Sequence, residues 1–216
     1  MRIVFYGYRD WAFDIFKNID LKDKLLITNQ NYDIIKKIKP EIVFFVGWSY
    51  IVPKDIIENY YCICLHPSPL PKYRGGSPIQ NQLINGETWS AITLFKMDEG
   101  IDTGDIINQY GFSLKGNLKQ IFKRIIHNST NSINIVIENF DIFKNEINLK
   151  KQDENRATFF KRRKPSDSEI TIEEIQNSTP KRLYNKIRGL SDPYPNAYIK
   201  CKNGEKLYIL KTKHEK

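Results

Sequence analysis

Four short apolar runs, separated by stretches with helical spacing, fill the first third of the chain. Arg2–Tyr6, Leu25–Thr28, Glu41–Val46 and Tyr61–Leu65 are rich in β-branched, aromatic and other strand-forming residues. Between the first two, Asp10 to Lys17 places Trp11, Ala12, Ile15 and Phe16 on one side, which predicts a helix capped near Asp10. Tyr32–Ile38 reads as a short helix stopped by Pro40, and Pro53–Asn59 as one or two further helical turns. The order βαβαβαβ predicts an open α/β sheet. Glu41–Val46 is a continuous apolar run, as a strand covered on both faces requires. Ligands of such sheets bind beyond the carboxyl ends of the strands. Gly7-Tyr8, Gly47–Tyr50 and His66–Ser68 therefore share one candidate edge.

A proline- and glycine-rich loop, Pro67–Gly76, leads into a helical stretch from Pro78 to about Ile84. Ser90–Met97 reads as a strand and is followed by the acidic loop Asp98–Asp105. Leu118, Ile121, Phe122, Ile125, Ile126, Ile133, Val136, Ile137 and Phe140 recur at three- and four-residue steps, which predicts a long helix packed on the sheet. Lys150–Ser168 is polar and without period. Beyond it come a helical piece (Pro180–Arg188), a Pro-Tyr-Pro turn at 193–195, and two β-like runs split by Asn203-Gly204, a hairpin signal. The expected organisation is a catalytic domain over 1–150, a connector over 151–168 and a small β-containing appendage over 169–216.

The 216 residues suffice for a sizeable core, and 40% hydrophobic with 27% charged residues suits a folded globular chain. No apolar run approaches the ~20 residues that a membrane helix needs, and Arg9-Asp10 ends the N-terminal apolar stretch early. A cytoplasmic protein without a membrane association is expected. Cys62, Cys64 and Cys201 lack a zinc-like spacing, so neither a disulfide nor a bound metal is expected. The net charge of +9 suits a solvated lysine-rich surface or an anionic partner. Basic residues are dispersed apart from the run Lys161-Arg162-Arg163-Lys164.

Of the three histidines, His214 lies near the end and His127 falls on the polar edge of the long helix. His66 ends a buried strand and opens a loop, where an α/β fold places ligand-facing groups. A histidine that moves protons is commonly oriented by a carboxylate. The loop Asp98-Glu99-Gly100-Ile101-Asp102-Thr103-Gly104-Asp105 offers four and follows a strand, which lets it lie at the edge of His66. Its spacing does not fit an EF-hand. Ser68 lies near His66, but no Gly-x-Ser-x-Gly elbow accompanies it.

The segments His66-Pro67-Ser68-Pro69-Leu70-Pro71-Lys72-Tyr73-Arg74-Gly75, Ser77-Pro78-Ile79-Gln80 and Met97-Asp98-Glu99-Gly100-Ile101-Asp102-Thr103-Gly104-Asp105-Ile106 together resemble the folate-dependent formyltransferase family. That family includes methionyl-tRNA formyltransferase, glycinamide ribonucleotide transformylase and the sugar N-formyltransferases. The resemblance covers most of residues 1–170. It extends to Tyr184–Pro195, which is similar to the start of the C-terminal domain in the tRNA and lipid-A-sugar enzymes.

The resemblance implies a Rossmann-like domain, the cofactor 10-formyltetrahydrofolate, and a catalytic asparagine, histidine and aspartate. The histidine maps onto His66 and the aspartate onto Asp102. The asparagine position, two residues before the histidine, holds Cys64. An amine attacking the formyl carbon creates an oxyanion and a proton to move. His66 is the expected shuttle, and Asp102 the group that fixes its ring and favours its charged form. Cys64, alternating with Cys62 and His66 on one strand face, offers only a weak donor to the oxyanion.

By the same resemblance, Trp48, Ser49, Tyr50, Leu70, Asp98, Glu99, Gly100 and Ile101 are expected at the cofactor, with Trp48 alternatively an ordinary packed aromatic. Lys72, Tyr73, Arg74 and Gln80 are expected near the acceptor, with Arg74 alternatively holding the loop through a carboxylate. The abbreviated N-terminal half points to a small acceptor, a nucleotide-linked amino sugar of the kind used in lipopolysaccharide or surface-glycan biosynthesis. Methionyl-tRNA is the alternative, and a binding module that has lost turnover is a third reading, which rests on Cys64 alone. Sugar-modifying relatives are often dimers, so a homodimer is one expected arrangement.

Overall fold

A computed structural model describes residues 1–146 and 148–215. Its centre is a six-stranded sheet in the order β2-β1-β3-β4-β6-β7. The strands are β1 (Ile3–Tyr6), β2 (Lys24–Ile27), β3 (Ile42–Val46), β4 (Cys62–His66), β6 (Trp89–Lys96) and β7 (Ile106–Ser113). The first four pair in parallel, and β6 and β7 add as an antiparallel hairpin. The α/β architecture is the one expected. The strand β7 is an addition: its Gln109, Tyr110 and Gly111 are exposed at the sheet's edge, so it carries no clear apolar period.

Alternate side chains of the buried strands go to opposite faces. Ile3, Phe5, Ile42, Phe44, Ile63 and Leu65 meet α1 (Asp10–Asn18) and α5 (Leu118–Glu138) on one face. Val4, Tyr6, Val43, Phe45 and Cys62 meet α2 (Asp33–Ile38) and α3 (Lys54–Asn59) on the other. The long helix α5 starts where Asn117 accepts from the Gln120 amide while the Gln120 side chain accepts from Asn117 N–H, a reciprocal cap. A short helix, α6 (Phe140–Phe143), follows it.

Lys150–Ser168, expected as a connector, runs across the domain that holds the six-stranded sheet. Its strand β8 (Phe159–Phe160) pairs in parallel with β5 (Arg74–Gly75). Gly76 makes this possible, since a Cβ there would lie 2.3 Å from Arg162 Cα. Beyond it, α8 (Pro180–Gly189) and the hairpin β9 (Tyr198–Lys200) and β10 (Lys206–Tyr208) surround a small core of Ile170, Ile187, Leu190 and Ala197, while α7 (Ile172–Asn177) lies outside it and is tied to α8 by the Glu174–Lys186 ion pair. The hairpin turns at Gly204, in the left-handed region. The appendage is anchored by α8 against α4 (Pro78–Ile84), with Gly189 on Leu83, and by Tyr194 on Phe122.

Two groups near the start of β4 make stability depend on alkaline pH. Burial pushes the Cys62 thiol from 9.0 up to about 12. Burial, with the Glu146 charge adding, pushes the Tyr61 phenol from 10.0 up to about 12. The native state holds both protons more tightly than the unfolded chain. Their contribution is full below about pH 9 and lost as pH rises toward about 12. Urea midpoints should therefore decline steadily over that window, and a flat profile there would contradict the burial of both groups.

Candidate active site

Parallel strands β1, β3 and β4 present their carboxyl ends along one crest, and the chain order reverses between β1 and β3. Such a switch point opens a crevice. Tyr8 and Arg9 follow β1, Gly47 and Trp48 follow β3, and His66 closes β4. His66 is 6% exposed. Its Nε2 lies 2.8 Å from the Tyr73 carbonyl oxygen and its Nδ1 lies 3.5 Å from Asp102 Oδ2. The Tyr73 carbonyl can only accept, so Nε2 carries a hydrogen, and Nδ1 is the ring nitrogen turned toward Asp102.

Tyr73 holds its carbonyl there from an unusual backbone conformation, φ 62°. A bulky residue in the left-handed region is strained unless its surroundings hold it. Here its N–H donates to Thr158 Oγ1 at 2.8 Å, its hydroxyl donates to Glu87 at 2.9 Å, and its ring stacks on Phe160 at 5.0 Å.

Asp102 reaches His66 by a route the sequence did not indicate. A loop that follows a strand can lie at the edge of His66, and this one does so only by doubling back. Strand β6 is antiparallel to β4, with His66 opposite Thr93 and Ile63 opposite Lys96. The acidic loop therefore starts at the far edge and folds back over the sheet face that carries Cys64. Gly104 permits the return, because a Cβ there would lie 1.8 Å from the Lys96 carbonyl oxygen. Asp102, itself at φ 57°, accepts at Oδ2 from Gly75 N–H at 2.8 Å.

Gln152 then pins the loop. Its amide donates to the carbonyls of Asp102 (2.9 Å) and Gly104 (2.7 Å). Its oxygen accepts from Arg74 Nε (3.1 Å) and Nη2 (2.9 Å). Arg74, 5% exposed, forks onto Glu154 at 2.8 and 2.6 Å. Its guanidinium is thus engaged inside the protein, supporting the loop that carries Asp102.

Cys64 faces the same side as His66. It packs with Leu70, Phe95, Ile106 and Met97. Burial, and then the Asp102 charge, push its thiol well above the ordinary range, so it stays protonated. Among the expected cofactor residues, Ser49, Tyr50, Asp98, Glu99, Gly100 and Ile101 are exposed around the crevice. Trp48 donates from its indole to Tyr32 at 3.1 Å and packs edge-on against Tyr6, Tyr8 and Tyr50. Glu99 pairs with Lys54 at 2.7 Å across the two sides. Leu70 is buried, and its carbonyl accepts from Gln109 at 3.1 Å. Of the residues expected near the acceptor, Lys72 is exposed, Tyr73 and Arg74 are engaged as described, and Gln80 is buried in α4.

Gln152, Glu154 and Thr158 were missed in the sequence because they lie in a polar stretch without period. His127 is exposed and bonded to Asn131, at 3.2 Å, on α5. Among the described residues no group of three or more His, Cys, Asp or Glu is placed to hold a metal ion. Nor is any helix among them long and apolar enough to cross a membrane.

A Rossmann-like sheet carries the histidine–aspartate pair at the carboxyl end of β4, one strand from the reversal between β1 and β3. Residues 9–117 match the formyl transferase family, and the chain belongs to it. The methionyl-tRNA formyltransferase of Caldicellulosiruptor saccharolyticus is 32% identical over 186 residues, covering 84% of this chain and 57% of that protein. The chain thus spans little more than half the length of that curated relative. A solved methionyl-tRNA formyltransferase from Clostridium thermocellum is 32% identical, covers 97% of each chain and superposes with a TM-score of 0.77. A sugar N-formyltransferase from a Shewanella species, 18% identical, covers 100% of this chain and 98% of its own with a TM-score of 0.76, a likeness of fold.

Proposed function

We propose that the protein transfers a formyl group from 10-formyltetrahydrofolate to the amine of a nucleotide-linked amino sugar, with His66 and Asp102 handling the proton. The observation that carries this reading is the pair itself, with Nδ1 at 3.5 Å from Asp102 Oδ2 at the carboxyl end of β4, where ligands of such sheets bind.

The residues present fit a flat pterin. Among the described residues, no backbone hydrogen bond engages the N–H or C=O of Ser49, Tyr50, Asp98 or Ile101. Those groups lie in the loops after β3 and β6 and can meet a ring with alternating donors and acceptors. 10-Formyltetrahydrofolate supplies a formyl carbon open to attack by an amine. His66 Nε2–H is committed to Tyr73, which leaves Nδ1 to take a proton from the attacking nitrogen and return it to the departing one. Asp102 stabilises the imidazolium and is held in place by Gly75 and Gln152.

The oxyanion half of the site is weaker. A thiol is a poor donor, and one absent oxyanion donor costs ~10²–10³ in rate. Cys64→Asn is expected to raise kcat at least roughly tenfold, and Cys64→Ser to leave it within a few-fold. Loss of turnover in both variants would instead make Cys64 a nucleophile.

The short β1–α1 and β2–α2 connections (residues 7–9 and 28–32) favour a small acceptor, since neither extends an arm over the crevice. A second reading, methionyl-tRNA as acceptor, is favoured by the 32% identity to the Clostridium thermocellum enzyme. Tetrahydrofolate release, measured with a panel of nucleotide-linked amino sugars and with charged initiator tRNA, separates the two. No release with any acceptor would overturn formyl transfer itself.

A further inference from the structure

Between Ile106 and Ile137 the chain carries no aspartate or glutamate, yet Lys115, Lys119, Lys123, Arg124 and His127 fall within it. The fold gathers this segment on one flank, because it makes β7 at the sheet's edge and nearly all of α5, which packs beside β7. Lys119, Lys123 and His127 recur at four-residue steps and are exposed, so they form one stripe along the helix. Among the described residues no carboxylate pairs with any cation of the segment.

The same flank leaves backbone groups open. The Leu114 N–H donates to the Thr88 carbonyl at 2.8 Å, so the bonds toward β6 continue at Phe112 and Tyr110. The N–H and C=O of Gln109 and Gly111 therefore point away from the sheet, and among the described residues β7 has no strand on that side. Both ends of the open stretch are closed. Lys150 exchanges two backbone bonds with Ile106, at 2.8 and 2.9 Å, and Arg124 donates to the carbonyls of Ser113 (3.0 Å) and Lys115 (2.7 Å). Sheet edges are commonly guarded by charge or proline. Gln109-Tyr110-Gly111 carries neither, and all three residues are exposed. Beside the Ser113 end lies a cleft of about 360 Å³, lined by Trp89, Phe112, Ser113, Lys123, Arg124 and His127. Trp89 is 64% exposed there.

We propose that this flank docks an extended acidic peptide of a partner protein, which adds as a strand to β7 at Gln109 and Gly111 and sets a bulky apolar side chain in the cleft at Trp89. Main-chain bonds to a sheet edge recognise extended backbone, and a pocket beside the edge selects a side chain. The stripe on α5 supplies the complementary charge. A second copy of this chain fits less well, because a two-fold axis at β7 would set two acid-free surfaces against each other. Nucleic acid would use the cations but not the carbonyls of an open edge. The edge lies two strands from His66, in the order β4-β6-β7, and uses none of the residues assigned to formyl transfer. Its test is therefore independent of the acceptor.

A phage-displayed library of random peptides about ten residues long, enough for one strand with flanks, is selected on the full chain, and the strongest binder is synthesised. Enrichment of aspartate and glutamate around a bulky apolar residue is expected. The Kd of the synthetic peptide should rise roughly tenfold or more in Lys123→Glu and in Gly111→Pro. The proline removes one outward N–H and leaves the β6 ladder intact, while Lys123→Glu, on an exposed helix face, keeps the test open should the proline disturb folding. Amide exchange at Gln109 and Gly111 should slow in the complex, which a contact through side chains alone does not produce. A library that yields no acidic binder, or a binder indifferent to both substitutions, would overturn the proposal. So would unprotected amides at Gln109 and Gly111. Tighter binding of an RNA hairpin, lost in Lys123→Glu and kept in Gly111→Pro, would give the flank to nucleic acid instead. A wild-type dimer that Gly111→Pro converts to a monomer would give it to a second copy.

Discussion

His66→Asn is expected to lower kcat by about 10²–10⁴-fold, the range over which positioned acid–base groups act, with little change in tetrahydrofolate affinity. The ring lies between Tyr73 O and Asp102 Oδ2, and an asparagine amide can still donate to one of them. It cannot take and return a proton, so fold and binding persist while turnover is lost. Asp102→Ala should act in the same direction, and the double variant should lose little more than either single one, since the two residues work as one unit. A stopped assay of tetrahydrofolate release reads all three. A fully active His66→Asn protein would sink the proton-shuttle mechanism.

Gln152→Ala should lower kcat by up to about 10²-fold although Gln152 touches neither His66 nor the expected ligands, because small misplacement of a reacting group is that costly. The substitution frees the carbonyls of Asp102 and Gly104 and removes the acceptor of two Arg74 donors. Asp102, in the left-handed region, then rests on the Gly75 N–H alone. Buried groups left without partners cost about 1–3 kcal/mol, so the thermal midpoint should drop as well. Gln152→Glu provides the discriminating control. It keeps the acceptor for Arg74 but cannot donate to either carbonyl, so a kcat reduced as far as in Gln152→Ala, despite the retained Arg74 contact, identifies a positioning role for the two donated bonds. A kcat that recovers with stability would mean that Gln152 serves packing alone.

The sheet was legible because its strands are short, apolar and separated by helices whose faces show a clear period, as in Ile42–Val46 and in α5. His66 was legible because it closes such a strand, and Asp102 because it falls in a motif of the family. The exposed edge strand β7 was not, and neither was the use of the 150–163 stretch. Gln152, Glu154 and Thr158 act through single hydrogen bonds to Arg74, Tyr73 and the acidic loop, and such contacts leave no periodic trace.

Local chemistry along the chain thus determined which residue types could do acid–base work, and apolar periodicity determined the α/β class. The path of the acidic loop was decided only in three dimensions. An antiparallel β6 starts it at the wrong edge, and Gly104, Gly75 and Gln152 bring Asp102 back to His66. The division of the basic run, with Arg162 against Gly76 and Arg163 turned inward, was decided the same way. Periodicity reports which face of an element is buried, whereas the meeting of residues far apart in sequence depends on strand direction and loop closure, and no local pattern encodes either.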